Sequence, residues 1–344
     1  MMYLGQGIKA CLLLLLPSSI PVLALSTPTT VFTLPGPIAP ASWFESLAVR
    51  PNGLILATRG DAPEIWQIDP ATGEGVLLVS VTGAFNLTGI AQVTMASHHQ
   101  QRPHAQTAGE TYVFGSAHIP SPNQVEPGSA KVWTLQFPAS TTTTNNNKNT
   151  PNDTPPIVSL LTALPTAGFI NGIASWGANR ILLSDTLAAA IYLMDVRTGA
   201  YTTPLTNLTG VNGIQTAPGY VYRADHAASA LSRIPVDSDA VATGPAEVLA
   251  SEQPVDDFAL VVDGDGSGAG RAYVAALYEN RVVEVVFGPA GSPGTGTKRV
   301  VVEDVSGTGT GFVSVAVLGR RAEDAGLLYV AVGQGGGSAG RCEG

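Results

Sequence analysis

Apolar and polar positions alternate along this chain in short runs, and the runs recur. Leu54 to Thr58, Tyr112 to Gly115, Arg180 to Ser184, Tyr220 to Arg223, Ala272 to Ala276 and Leu327 to Val332 read as apolar strands. Ile65-Trp66-Gln67-Ile68-Asp69 and Ile191-Tyr192-Leu193-Met194-Asp195 each follow one of them, and each runs into a Thr-Gly pair, Thr72-Gly73 and Thr198-Gly199. An alternating strand that ends in Asp ahead of a Thr-Gly turn is a hairpin pattern. Weaker copies are Lys131 to Leu135, Leu231 to Pro235 and Arg281 to Val285.

A further run precedes each pair and begins with a polar head. Four of these are Glu45-Ser46-Leu47-Ala48-Val49, Asn171-Gly172-Ile173-Ala174, Asn212-Gly213-Ile214-Gln215 and Asp257-Phe258-Ala259-Leu260. Thr88-Gly89-Ile90-Ala91 and Val313-Ser314-Val315-Ala316 fit the same slot. Units of roughly 40 to 55 residues made only of short strands specify a β-propeller. Six units predict an all-β, six-bladed propeller with a central channel, one domain over residues 25–344. A single blade cannot bury both of its faces, so the blades must stack around that channel. The innermost strand of each blade lines the channel, and the heads then converge at one mouth. Val31 to Leu34 is expected to add an outer strand to the last blade, which is otherwise short of strands before the Gly-rich stretch from Gly333 to Gly344.

Composition narrows the function classes. Of 344 residues, 44% are hydrophobic and only 12% charged, enough for a large core. The 39 Gly and 25 Pro suit a chain with many turns. A net charge of −9 argues against nucleic acid, since phosphate binding needs a basic face. Residues 1–24 read as a secretory signal: Lys9 gives the charge, Ala10 to Leu16 the apolar run, Val22-Leu23-Ala24 the cleavage site. The run is too short for a membrane span, so the expected location is the secretory pathway or the cell exterior. Cys11 leaves with the signal, and Cys342 alone remains. Three sequons begin at Asn86, Asn152 and Asn207; the first conflicts with an inward Thr88, and Asn152 is the best placed. Residues 141–156, rich in Thr and Asn, read as a disordered surface loop.

The chemistry-bearing residues are the heads. Glu45, Asn171, Asn212 and Asp257 bring two carboxylates and two amides to one ring, hard oxygen donors suited to Ca²⁺ or another divalent ion. In this the chain resembles the gluconolactonase and regucalcin family of six-bladed propellers. That resemblance implies that Glu45, Asn171, Asn212 and Asp257 hold a divalent metal and that Asp257 is the base of lactone hydrolysis. Two positions depart from the family pattern. Phe169 stands where an Arg usually grips a sugar, and Phe258 follows the Asp where a Gly is usual. With Trp43 ahead of Glu45 and Thr88 in the ring, these residues make an apolar, aromatic substrate site.

The chain is similar to a secreted fungal branch of that family, in its signal-like start, its Asn-Gly-Ile heads, its Asp256-Asp257-Phe258-Ala259-Leu260 run and its Ser/Thr/Asn-rich insertion. That resemblance implies a hetero-Diels–Alderase joining a tropolone ortho-quinone methide to a macrocyclic, humulene-type sesquiterpene. Such a reaction requires no cofactor. It requires two apolar partners held together and donors on a carbonyl, roles open to Asn171 and Asn212, with Glu45 and Asp257 completing the catalytic set. A metal-dependent lactonase and a non-catalytic small-molecule-binding propeller are the alternatives. His98, His99 and His104 read as part of a solvated loop, and Asp185 and Asp225 as acceptors of turn amides. Gly264 to Gly270 has no following helix and no Gly-x-Ser-x-Gly elbow occurs, which argues against a phosphate loop and a serine hydrolase.

Overall fold

In a computed structural model of the chain, residues 9–14, 28–35, 42–95, 109–121, 124–138, 155–292, 296–307 and 311–333 are described. His98, His99, His104, Asn152, Cys342 and nearly all of the 141–156 loop lie outside them. The described residues are strands and turns, with a single 3-10 turn at Leu277–Glu279.

Two strands near the N-terminus, β1 (Lys9–Leu14) and β2 (Thr29–Thr33), precede the first repeat. Five sets of four consecutive strands follow. The first blade is β3 (Phe44–Val49), β4 (Ile55–Arg59), β5 (Glu64–Asp69) and β6 (Glu74–Ser80). The second is β7 (Asn86–Val93), β8 (Glu110–Ala117), β9 (Lys131–Phe137) and β10 (Ile157–Ala163). The third is β11 (Ile170–Ser175), β12 (Arg180–Asp185), β13 (Ala190–Asp195) and β14 (Tyr201–Leu205). The fourth is β15 (Val211–Ala217), β16 (Tyr220–Asp225), β17 (Ala230–Pro235) and β18 (Glu247–Ala250). The fifth is β19 (Phe258–Val262), β20 (Gly270–Ala276), β21 (Arg281–Phe287) and β22 (Thr297–Val302). The chain then adds β23 (Phe312–Leu318) and β24 (Leu327–Gly333).

Each blade is an antiparallel meander, as the hairpin signals predict. The Asp and Thr-Gly turns form as expected. The Gly73 N–H reaches the Asp69 carbonyl at 2.9 Å, and the Ala71 N–H reaches the Asp69 carboxylate at 2.9 Å. Gly73 has φ of 76°, a value that favours a residue without Cβ.

The expectation of six like blades needs correction. Five blades are continuous propeller units, and the remaining four-stranded sheet, in the order β2-β1-β24-β23, is composite and draws on both ends of the chain. β24 offers its outer edge to no strand that follows it among the described residues. Lys9–Leu14 fills that place, pairing with β24 on one side and β2 on the other. Thr29–Thr33 is the outermost strand of this closing sheet, close to the predicted Val31 to Leu34. Thus the apolar part of the signal-like stretch has a strand position in the chain as it stands.

The core lies between sheets. One apolar cluster joins Phe44, Leu47 and Ile55 of the first blade to Val315, Tyr329 and Ala331 of the closing sheet. Another joins Ile173 and Leu183 of the third blade to Val113 and Val132 of the second. The other interfaces are built likewise. Burying one such Val, Leu or Ile stabilises by about 1.5–3 kcal/mol, so the interfaces hold the ring together. The first strands touch in succession, β3 to β7 to β11 to β15 to β19 to β23 and back to β3. No helix among the described residues is long and apolar enough to cross a membrane.

Candidate active site at the channel mouth

The polar heads coincide with a break in the ladder between the first and second strands. Phe44 pairs with Arg59 and Ser46 with Thr58, so Glu45 is left out of register. Thr88 and Gly89 stand opposite Gly115 alone, Asn171 and Gly172 opposite Ser184, and Asn212 and Gly213 opposite Ala224. Ser314 is skipped in the closing sheet. In the fifth blade both Asp256 N–H and Asp257 C=O pair with Ala275, at 3.1 and 3.0 Å. Extra residues of this kind kink a strand and re-aim its side chains.

Neighbouring bulges are tied together. Ser184 Oγ accepts the Gly172 N–H at 2.7 Å and donates to the Asn212 carbonyl at 2.6 Å. Thr58 Oγ1 donates to the Thr88 carbonyl at 2.7 Å, and Ser314 Oγ to the Phe44 carbonyl at 2.6 Å. Between the fourth and fifth blades the link is backbone: the Gly213 N–H donates to the Asp256 carbonyl at 3.0 Å. Gly213 must lack a side chain there, because a Cβ would lie 2.4 Å from Asp257 Oδ1 and 2.7 Å from Asp257 Cα. The same closeness brings Gly172 against Asn212 and Gly89 against Asn171.

Three carboxyl groups gather in this ring. Glu45 Oε2 accepts the Trp43 indole N–H at 2.5 Å. Asp256 Oδ1 accepts from Asn212 Nδ2 at 2.5 Å. Asp257 Oδ1 accepts the Phe258 N–H at 2.7 Å, and the Gln215 side chain also bonds to this carboxyl. Burial raises the Glu45 pKa against the opposing effect of Trp43. Burial, then the charges of Glu45 and Asp257, push Asp256 well above the ordinary carboxylate range. Burial and the charge of Glu45 raise Asp257 to about 7. Desolvation and like-charge crowding thus act in one direction and favour neutral acids, which donate hydrogen bonds. Glu45 and Asp257 keep partial solvent contact, whereas Asp256 is buried.

Glu45, Asn212 and Asp257 of the predicted ring therefore meet, and Asn171 is the next head along. Asp256 and Gln215 also belong to the group. The doubled Asp ahead of β19 and the Gln three residues after Asn212 are their only traces in the sequence. Trp43 is half-buried, orients Glu45 and packs edge-on against Phe312 at 6.0 Å. Phe169 is half-buried just ahead of β11.

Two predicted substrate contacts fall elsewhere. Phe258 is fully buried in the cluster between the fourth and fifth blades, with Tyr222 and Val274, because strand alternation turns it away from the channel when Asp257 faces it. Thr88 is also buried, and its Oγ1 lies over Gly115 without a hydrogen-bond partner. It fills the space that Ser184 fills in the third blade. Asp185 accepts the N–H groups of Gly168, Phe169 and Ala188 and the Tyr192 hydroxyl, a turn-binding role as predicted. Asp225 accepts the Ala228 N–H and pairs with Arg223 at 3.0 Å. Asn86 is engaged through both ends of its amide, with Gly60 and Ile119.

Among the described residues no three His, Cys, Asp or Glu converge to hold a metal. The bond between Asn212 and Asp256 uses the amide nitrogen of Asn212 and not its oxygen. Any ion would have to draw on amide oxygens of Asn171 and Asn212 beside Glu45 and Asp257.

No protein-family model matches the chain, and no curated protein sequence does. Solved structures share its fold. A regucalcin, a calcium-binding protein from Agrobacterium tumefaciens, is 14% identical with a TM-score of 0.51, over 86% of this chain and 93% of that one. A putative phosphatase from Bacteroides thetaiotaomicron is 12% identical with a TM-score of 0.55, over 95% and 79%. A luciferin-regenerating enzyme is 10% identical with a TM-score of 0.53, over 87% and 92%. These likenesses establish the propeller, a fold that carries enzymes and binding proteins alike.

Proposed function

We propose that the ring is the active site of an enzyme acting on an uncharged small molecule with a carbonyl oxygen, and that the reaction is a hetero-Diels–Alder cycloaddition. What supports this reading is the group Glu45, Asp256 and Asp257, three acids crowded at one channel mouth and biased toward their protonated forms. A protonated carboxyl beside the Asn171 and Asn212 amides donates to the carbonyl of an ortho-quinone methide, lowers its acceptor orbital and stabilises the charge that develops on oxygen. No proton need leave the enzyme and no cofactor is used. Trp43 and Phe169 offer aromatic faces to the flat partner, and enclosure slows its capture by water. A place in the secretory pathway belongs to this proposal, and cleavage after residue 24 would remove β1 from the closing sheet.

The test is to generate a tropolone ortho-quinone methide in the presence of humulene and follow the adduct by chiral chromatography. Adduct above the enzyme-free rate, retained in EDTA and lost in Asn212→Ala, is the expected result. Absence of adduct, together with EDTA-sensitive hydrolysis of a lactone panel, would replace this reading with a divalent lactonase using Glu45, Asn171, Asn212 and Asp257.

A further inference from the structure

The fourth blade breaks a pattern that the other four continuous blades keep. One register step past each bulge, the second and third strands face each other with two apolar or aromatic side chains. These pairs are Ala57 and Trp66, Phe114 and Trp133, Leu183 and Tyr192, and Val274 and Val283. In the fourth blade the pair is Arg223 and Ser232. Arg223 lies opposite Ile214 and two residues after Val221, so strand alternation puts it on their face. That face carries Ile214, Val221 and Ile234 into the apolar cluster shared with Leu182 and Leu193 of the third blade. A guanidinium thus occupies an interface made of hydrocarbon.

Its hydrogen bonds are incomplete. Arg223 Nη2 pairs with Asp225 Oδ2 at 3.0 Å, and Asp225 also accepts the Ala228 N–H. Among the described residues, the buried side-chain atoms without a hydrogen-bond partner are Arg223 Nε, Arg223 Nη1, Ser232 Oγ and Thr88 Oγ1. All but the last belong to this one pair. Residues directly opposite in an antiparallel ladder have Cβ atoms about 4.5–5.5 Å apart, so the unused N–H groups and the hydroxyl lie together. Donors buried without an acceptor destabilise the fold, and such a group calls for a function. Arg59 shows the completed arrangement. Its Nε donates to Asp61 at 3.0 Å and its Nη1 to Glu64 at 2.7 Å, so one guanidinium serves two carboxylates. Arg59 and Arg223 are enclosed alike, with 15% and 12% of their side chains exposed. Arg223 has the first carboxylate, and no described residue supplies the second.

We propose that Arg223 and Ser232 form a binding site for a small carboxylate, with Nε–H, Nη1–H and the Ser232 hydroxyl as donors. An ionised acceptor suits a guanidinium best, because bonds between charged partners are the strong ones. The site is separate from the ring. It faces the third blade, whereas Asn212 on the neighbouring strand turns its amide to Asp256, ahead of the fifth. It does not depend on the reaction assigned to the ring. The unused atoms are closed off from water, so a ligand enters as the guanidinium swings about its bond to Asp225, and only a small acid fits.

The experiment is calorimetric titration of sodium formate, the smallest carboxylate, into the full chain, with sodium chloride at equal ionic strength as reference. Saturable formate binding to the wild type is the expected result. Arg223→Leu gives the fourth blade the residue type that the third has at Leu183, and should weaken binding at least about tenfold. Arg223→Lys keeps the charge without the planar set of donors, and Ser232→Ala removes only the hydroxyl; each should weaken binding about fivefold. These two carry the test if Arg223→Leu does not fold. No saturable binding, an equal response to chloride, or formate affinity unchanged by the substitutions overturns the site and leaves Arg223 and Asp225 as a buried ion pair alone.

Discussion

Replacing Asp257 by Asn tests whether the ring acids are held neutral. Asp257 Oδ1 accepts the Phe258 N–H at 2.7 Å, and an amide oxygen accepts the same bond. Its pKa rises from 3.8 to about 7 through burial and the nearby charge of Glu45. Between those values the native state keeps a proton that the unfolded chain has released. Stability contributed by this group is therefore full below the unfolded pKa and falls as pH rises to the folded one. At about 1.4 kcal/mol for each pH unit by which ionisation is displaced, the upper limit is about 4 kcal/mol. Asp257 retains partial solvent contact, and screening brings the expected effect to about 2 kcal/mol. Asp257→Asn should match the wild type near pH 4 and exceed it by about 2 kcal/mol at pH 8. Urea unfolding followed by tryptophan fluorescence reads this as a higher midpoint with an unchanged slope. A variant less stable than wild type at pH 8, or a difference independent of pH, would refute the reasoning. It would mean that the native carboxylate is charged and has a positive partner.

Other perturbations test the scaffold around the ring. Gly213→Ala places a Cβ 2.4 Å from Asp257 Oδ1; it should destabilise by about 1–3 kcal/mol in thermal melts and disturb the ring, and normal stability would contradict this packing. Ser184→Ala strands the Gly172 N–H and the Asn212 carbonyl, with an expected loss of about 2–4 kcal/mol in urea titration. Phe258→Ala should lose about 3–5 kcal/mol as a core cavity; an effect confined to KM would instead put Phe258 at the substrate. Deleting residues 1–24 removes β1, so the melting temperature should drop against the full chain. An unchanged value would show that Thr29–Thr33 takes the place of β1 beside β24.

The strands were legible because burial imposes a period of two on each of them, and the Asp and Thr-Gly turns mark where the hairpins close. The second and third strands fall within a few residues of their predicted runs in five blades. The heads Glu45, Thr88, Asn171 and Asn212 were legible as a repeat, with Val313 in the same slot of the last unit, but where each strand bulges depends on the pairing of β3, β7, β11, β15 and β23 with their neighbours, which leaves Ser314 rather than Val313 out of register. Whether a head faces the channel is decided there. Thr88 has the spacing of a ring residue, yet the missing side chain at Gly115 draws its hydroxyl into the blade. Phe258 adjoins a ring acid and still turns into the core, since alternate residues of β19 face opposite ways. Asp256 shows the converse: nothing in its local pattern separates it from a turn acid, and only the approach of Asn212 from another blade brings it into the site. The closing sheet goes furthest in this direction, because its four strands come from opposite ends of the chain. Local alternation thus determined which segments become strands, an interaction between near neighbours. The tertiary structure decided which polar side chains meet, because that depends on contacts between residues dozens of positions apart.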